Sequence, residues 1–172
     1  MTRSAVLVVL LGGVGLRAQE EKPADVKTAL KVLEKRVGSW STVTTINKAE
    51  WTPKPGQTKG DEVLAMTLGG RFLEGKNKSA DGIEGQLLAT YDVPLGMYRF
   101  WYFDSQGTTT DGLGKWDDKT KTLTWTNSAP GGITSLAHWK FVDDDTFEWD
   151  LVTKDGEGKV LLDMKGKLTR KK

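Results

Sequence analysis

Leu33-Glu34-Lys35-Arg36-Val37-Gly38-Ser39-Trp40 is the stretch at which the chain changes its period. Before it, Val26, Ala29, Leu30, Leu33 and Val37 fall at i, i+3, i+4, i+7 and i+11 and form one apolar stripe of a helix. Lys27, Lys31, Glu34 and Lys35 take the opposite side. Asp25 can accept hydrogen bonds from the first turn, and Gly38 can supply the left-handed stop, so the pattern predicts a helix over 25–37. After Gly38 the period is two. Thr122-Leu123-Thr124-Trp125-Thr126 alternates, and so does Phe147-Glu148-Trp149-Asp150-Leu151. Val160, Leu162, Met164 and Leu168 share one face, while Asp163, Lys165 and Lys167 share the other.

Turn-forming clusters such as Pro53-Lys54-Pro55-Gly56, Gly69-Gly70, Asp117-Asp118-Lys119 and Lys154-Asp155-Gly156-Glu157-Gly158 separate the runs. The spacing predicts strands at 39–47, 60–68, 71–78, 83–91, 97–103, 108–116, 121–127, 134–142, 146–153 and 159–169. Short, evenly spaced strands behind one helix indicate an all-β fold, a closed antiparallel barrel of about 8–10 strands. Closure removes the two free edges a meander would leave. At that strand number the interior either packs solid or holds one small ligand. Met97-Tyr98-Arg99-Phe100-Trp101-Tyr102-Phe103 is aromatic on both faces, so it needs cover outside as well as inside. The helical stripe is the cover expected for it.

The 172 residues fit one domain. A hydrophobic content of 37% with 28% charged residues excludes a disordered tail and a polytopic membrane protein. Cysteine is absent, which removes disulfides, thiol nucleophiles and cysteine-held metal. Residues 1–18 read as a signal peptide: Arg3 in a short leader, an apolar run from Ala5 to Leu16, and the small Ala18 at the cut. The run is too short for a bilayer, which needs about 20 residues. Export to the periplasm or the exterior is the expectation, with 19–37 a linker and the amphipathic helix, and 38–172 the barrel, forming one domain with that helix. Gly13-Val14-Gly15-Leu16-Arg17-Ala18 matches a dinucleotide fingerprint, but the polar Gln19-Glu20-Glu21-Lys22-Pro23 follows where an apolar helix is required. Of 25 basic residues, Arg3 and Arg17 fall in the leader, so the remainder balances the 23 acids. That neutrality speaks against a nucleic-acid or anionic-membrane partner, and no integral span is expected in the mature chain.

The Gly38-Ser39-Trp40 placement after a helix, with Arg170 near the chain end, resembles the lipocalin and wider calycin barrels. There the tryptophan packs across the closed end against a basic residue of the last strand, which implies structural closure by Gly38, Trp40 and Arg170. Stacking guanidinium on indole would contribute about 0.5–2 kcal/mol. Over residues 27 to 170 the chain resembles the bacterial family known as domain of unknown function 1579. Val37-Gly38-Ser39-Trp40, Leu68-Gly69-Gly70-Arg71-Phe72-Leu73-Glu74, Gly85-Gln86-Leu87-Leu88-Ala89-Thr90-Tyr91-Asp92, Trp101-Tyr102-Phe103-Asp104-Ser105 and Trp116-Asp117-Asp118-Lys119-Thr120-Lys121-Thr122-Leu123-Thr124 carry that likeness, with the Asp143-Asp144-Asp145-Thr146 turn. It implies a lipocalin-like, often exported barrel, with no activity and no catalytic residues to carry over.

The chemistry-bearing residues are few. His138, the single histidine, is in phase with Leu136 and Lys140, a strand histidine rather than a haem ligand. A Ser-His-Asp or H-E-x-x-H arrangement is missing, and Asp143-Asp144-Asp145 lacks the glycine and glutamate of a calcium loop. No metal or cofactor is expected. Glu74, Glu84, Asp92, Asp104 and Asp111 lie on or beside strands, where two meeting inside would make an acid and a base. The main expectation is a binder of a small apolar or amphipathic molecule, lined by Phe72, Leu87, Tyr91, Trp101, Phe103, Trp116, Trp125, Trp139 and Trp149, not all of which can face inward. A carboxylate enzyme on the same barrel, or a structural or partner-binding envelope protein, are the alternatives.

Overall fold

The computed structural model describes residues 25–172, so the signal-peptide reading of 1–18 lies outside the described residues. Helix α1 spans Val26–Glu34, and the Asp25 carboxylate accepts from the Thr28 amide at 3.2 Å. The helix stops three residues earlier than its apolar stripe. Arg36 and Val37 donate to the carbonyls of Leu33 and Glu34, a tightened last turn, and Gly38 at φ +134° turns the chain into the first strand.

Ten strands follow: β1 Gly38–Ile46, β2 Gly56–Thr67, β3 Phe72–Ser79, β4 Glu84–Asp92, β5 Met97–Asp104, β6 Thr109–Asp117, β7 Thr122–Ala129, β8 Ile133–Phe141, β9 Thr146–Lys154 and β10 Val160–Arg170. Each pairs antiparallel with its sequence neighbour, and β1 also pairs with β10, so the sheet closes into an all-β barrel. Strand β2 begins at Gly56, four residues before the alternation does, because Gly56–Lys59 continue the backbone ladder with Val43–Ile46 of β1. No described helix is long and apolar enough to cross a membrane.

Most side chains that face in are buried at one end of the barrel, while at the other most are partly exposed and Thr153 is buried. At the first end Trp40, Leu64, Leu73, Tyr91, Tyr98, Leu123, Phe147 and Leu168 pack with Ala29, Leu30, Val32 and Leu33 of α1. The helix therefore closes that end and buries its stripe there. The Tyr98 hydroxyl donates to the Ala29 carbonyl at 3.0 Å. The helix does meet β5, but through this inward residue. The outer face of β5 is not covered by it: Trp101 is partly exposed beneath the Arg99 guanidinium, 5.1 Å from its ring centroid, and Phe103 is 42% exposed.

Candidate ligand-binding interior

Alternation puts every second residue of each strand on the inner wall. On β4 these are Gly85, Leu87, Ala89 and Tyr91, and on β5 Tyr98, Phe100 and Tyr102, which face them across the ladder. On β7, β8 and β9 they include Trp125, Trp139 and Trp149. The aromatic rings meet edge to face in one chain: Phe100 and Trp139 each stand beside Trp125 at 4.8 Å, and Trp139 beside Phe147 at 6.0 Å.

Glycine decides where these rings lie. A Cβ on Gly114 would fall 2.8 Å from Trp125 Cζ3, and one on Gly166 would fall 2.7 Å from Trp149 Cζ2. A Cβ on Gly85 would fall 2.8 Å from Tyr102 Cζ. The rings occupy the space a side chain would have taken, flat against the wall. Barrel diameter grows with strand number, so ten strands enclose a wider interior than the eight that side chains just fill. At the end opposite α1 the wall carries small polar residues, Thr42, Thr44, Thr58, Asn77, Thr110, Asn127 and Ser135, beside the apolar Ile46, Leu151, Leu162 and Met164, all partly exposed. Trp149 and Tyr102 are partly exposed beside them.

Where the two halves meet, Arg36 enters the barrel from the turn after α1. Its Nη2 donates to Glu62 Oε2 at 2.6 Å, and both residues are buried. The guanidinium carbon lies 4.2 Å from the Phe147 ring centroid and 4.5 Å from that of Trp139. Burial pushes the Arg36 pKa down, and the Glu62 carboxylate pulls it back up. Along the same inner row Glu62 pairs with Asn77, and Asn77 with Gly85, over which the Tyr102 hydroxyl reaches to hydrogen-bond Asn77. Burial raises the Tyr102 pKa above the usual tyrosine value, against the pull of that hydrogen bond. The Nε of Arg36 and the Nε1 of Trp125 are buried with no hydrogen-bond partner among the described residues.

At the rim of the closed end Gly38, Trp40 and Arg170 come together. The Arg170 guanidinium sits 4.2 Å from the Trp40 ring centroid and donates to the carbonyls of Val37 at 2.7 Å and Lys35 at 3.1 Å. The Trp40 indole N–H donates to the Arg36 carbonyl at 2.9 Å. One clamp thus fixes the end of α1, the first strand and the last.

Of the nine candidate lining residues, Leu87, Tyr91, Trp116, Trp125, Trp139 and Trp149 face inward. Phe72, Trp101 and Phe103 face outward, because β3 and β5 turn Leu73, Gly75 and Tyr98, Phe100, Tyr102 to the core. The five candidate carboxylates do not converge. Glu74 accepts from Gln86, Glu84 pairs with Lys78 at 2.8 Å, Asp92 faces Arg99, Asp104 caps its own turn, and Asp111 is exposed. His138 faces outward and meets Asp150 at 2.8 Å. Arg36 and Glu62 were missed as site residues, though both break a pattern: Arg36 follows Ala29 by seven and Leu33 by three on the helical stripe, and Glu62 is in phase with Leu64 and Met66.

Solved structures share this architecture, among them the following two. The crystal structure of Rv2717c from M. tuberculosis aligns with a TM-score of 0.65 at 17% identity, over 86% of this chain and 100% of that one. An S-type phycobiliprotein lyase, CPES from Guillardia theta, aligns with a TM-score of 0.60 at 11% identity, over 87% of this chain and 99% of that one. Both likenesses are of fold. No protein of curated function matches the chain. The family model for a protein of unknown function, DUF1579, matches residues 27–170, most of the chain, and the protein therefore belongs to the DUF1579 family.

Proposed function

We propose that the protein is an exported barrel that binds one small apolar or amphipathic molecule in its interior. The observation that carries this reading is the unequal filling of the inner wall. At one end it is sealed by α1, and at the other Trp149, Tyr102 and a ring of threonine, serine and asparagine are partly exposed. An aromatic wall with a few polar groups is the usual chemistry of a ligand pocket. Leu87, Tyr91, Trp116, Trp125, Trp139 and Trp149 are its proposed apolar lining. Phe72, Trp101 and Phe103 take no part, since their side chains leave the barrel on the outer face. Export is inferred from the leader-like residues 1–18 and agrees with a chain that lacks cysteine and so needs no redox protection.

The test is titration with Nile red, a neutral apolar dye, followed by its own emission and by tryptophan quenching. Saturable one-to-one binding is expected, displaced by an amphipathic competitor. Thr44→Trp places a large ring on the inner wall beside Thr58 and Gly166, and is expected to abolish binding while the far-ultraviolet spectrum stays unchanged. Dye binding that Thr44→Trp leaves intact would place the site elsewhere and overturn the reading.

A further inference from the structure

We infer that the interior selects a neutral amphipathic molecule carrying a hydrogen-bond acceptor, a carbonyl or ether oxygen, and that Glu62 is the residue that turns anions away. This rests on the reading of the interior as a binding site and names the class of ligand it takes.

Arg36 and Glu62 are the only buried charged side chains among the described residues, and they are joined at 2.6 Å. Their charges cancel, so the interior is polar but neutral. A carboxylate entering beside them meets a guanidinium that already has its counter-ion, and would carry an uncompensated charge out of water. A cationic ligand fares no better, because the only buried carboxylate among the described residues is committed to Arg36.

The unmet groups point the same way. Among the described residues three buried side-chain polar atoms have no partner, and with Arg99 Nε on the outer face of β5 the two of the interior are both donors, Arg36 Nε and Trp125 Nε1. Arg36 is 4% exposed and Trp125 2%. Both border one ring, Trp139, with the Arg36 guanidinium carbon 4.5 Å and the Trp125 ring 4.8 Å from its centroid. An unpaired buried donor is costly, and the group that relieves it is an acceptor that brings no charge. Asn77 and Tyr102, the other polar groups on this wall, are partly exposed and lie against each other over Gly85. Hydrocarbon lacking any acceptor would leave both donors unmet.

The test compares three probes on the mature chain: methyl oleate, oleate at mildly alkaline pH, and 1-octadecene. Methyl oleate is expected to bind at least about tenfold more tightly than either of the others, a gap of about 1.4 kcal/mol. Glu62→Gln frees the Arg36 charge and is expected to reverse the order of ester and anion. Oleate binding as tightly as the ester in the unaltered protein overturns the inference while leaving an interior binding site standing. A folded Glu62→Gln protein that still prefers the ester overturns it as well. If that variant does not fold, the order of the three probes on the unaltered protein decides alone. Failure of all three to bind, together with failure of Nile red, removes the site itself.

Discussion

The two ends of the barrel are built from the same ten strands with the same alternation, yet they solve opposite problems. At the helix end, inward Leu64, Leu73, Leu123, Phe147 and Leu168 find a second layer in Ala29, Leu30 and Leu33 and are almost wholly buried. At the other end, away from α1, inward threonine, serine and asparagine alternate around the wall with Ile46, Leu151, Leu162 and Met164, all partly exposed. Closing a sheet removes its edges but does not fill its middle; filling is done here by a single helix at one end. Hydroxyl and amide groups suit the uncovered end because water can satisfy them there, as Ser135 and Thr153 also do for each other at 2.9 Å.

The sharpest break of this contrast is at the boundary between the ends. Arg36→Met leaves the Glu62 carboxylate buried without its cation and is expected to destabilise by about 3–5 kcal/mol, measured by urea denaturation. Replacing both, as Arg36→Met with Glu62→Leu, is expected to recover most of that loss, since a neutral apolar pair carries no stranded charge. A single-variant loss below about 1 kcal/mol would mean that water already reaches the pair and that the boundary is drawn in the wrong place.

Next comes a matched pair of truncations, one at each end. Leu73 is fully buried on the inner wall, and Leu73→Ala is expected to cost about 2–5 kcal/mol through lost burial and the cavity left behind. Thr44→Ala, on the same wall at the other end, is expected to fall within about 0.5 kcal/mol of the unaltered protein. Equal losses at both sites would show that the uncovered end is packed in solution.

Alkali offers a smaller probe of the helix seal. Burial pushes the Tyr98 hydroxyl well above the usual tyrosine pKa, with the nearby Tyr91 adding to the shift. The folded protein keeps that proton while the unfolded chain loses it at about pH 10. The stabilisation is thus complete below about pH 10 and is lost as pH rises further. Tyr98→Phe is expected to cost about 1 kcal/mol at neutral pH, for the hydrogen bond to Ala29, and to reduce the alkaline loss. Tyr102, raised in the same direction, retains part of the slope. An unchanged alkaline slope in Tyr98→Phe would show that the helix end opens before the hydroxyl ionises.

Most of this frame was legible in the residues, because a barrel strand advertises itself by alternation and a helix by its stripe. The ten runs and the Trp40–Arg170 closure could be placed from Val26-to-Val37 periodicity, turn clusters and family likeness. What could not be read was phase where both faces are apolar. Tyr98-Arg99-Phe100-Trp101-Tyr102-Phe103 gives no polar face to orient it. Its neighbours do: Gly112 and Gly114 on β6 and Gly85 on β4 leave the space that Phe100, Trp125 and Tyr102 occupy. The Arg36–Glu62 pair shows a second limit. Each residue is a charge at an apolar position, readable alone as an oddity, but 26 residues of sequence separate them and only the closed register brings them within 2.6 Å.

The finest test of inside against outside is on β5 itself, where adjacent residues leave the strand in opposite directions. Phe103 is 42% exposed on the outer wall, in a shallow groove of about 570 Å³ shared with Val63, Lys76 and Gln86, while Tyr102 next to it reaches over Gly85 into the barrel. The outer groove is rimmed by exposed charge already paired with itself, Lys78 with Glu84 at 2.8 Å and Lys171 with Asp61 at 2.7 Å. Phe103→Ser should therefore change stability by no more than about 0.5 kcal/mol and leave the affinity for Nile red and methyl oleate untouched. Tyr102→Phe frees Asn77 and should alter affinity without unfolding the barrel, because it exchanges a polar group on the inner wall and keeps the ring. A loss of binding in Phe103→Ser with none in Tyr102→Phe would move the ligand to the outer face, and with it the meaning of every glycine that seats a ring against the wall.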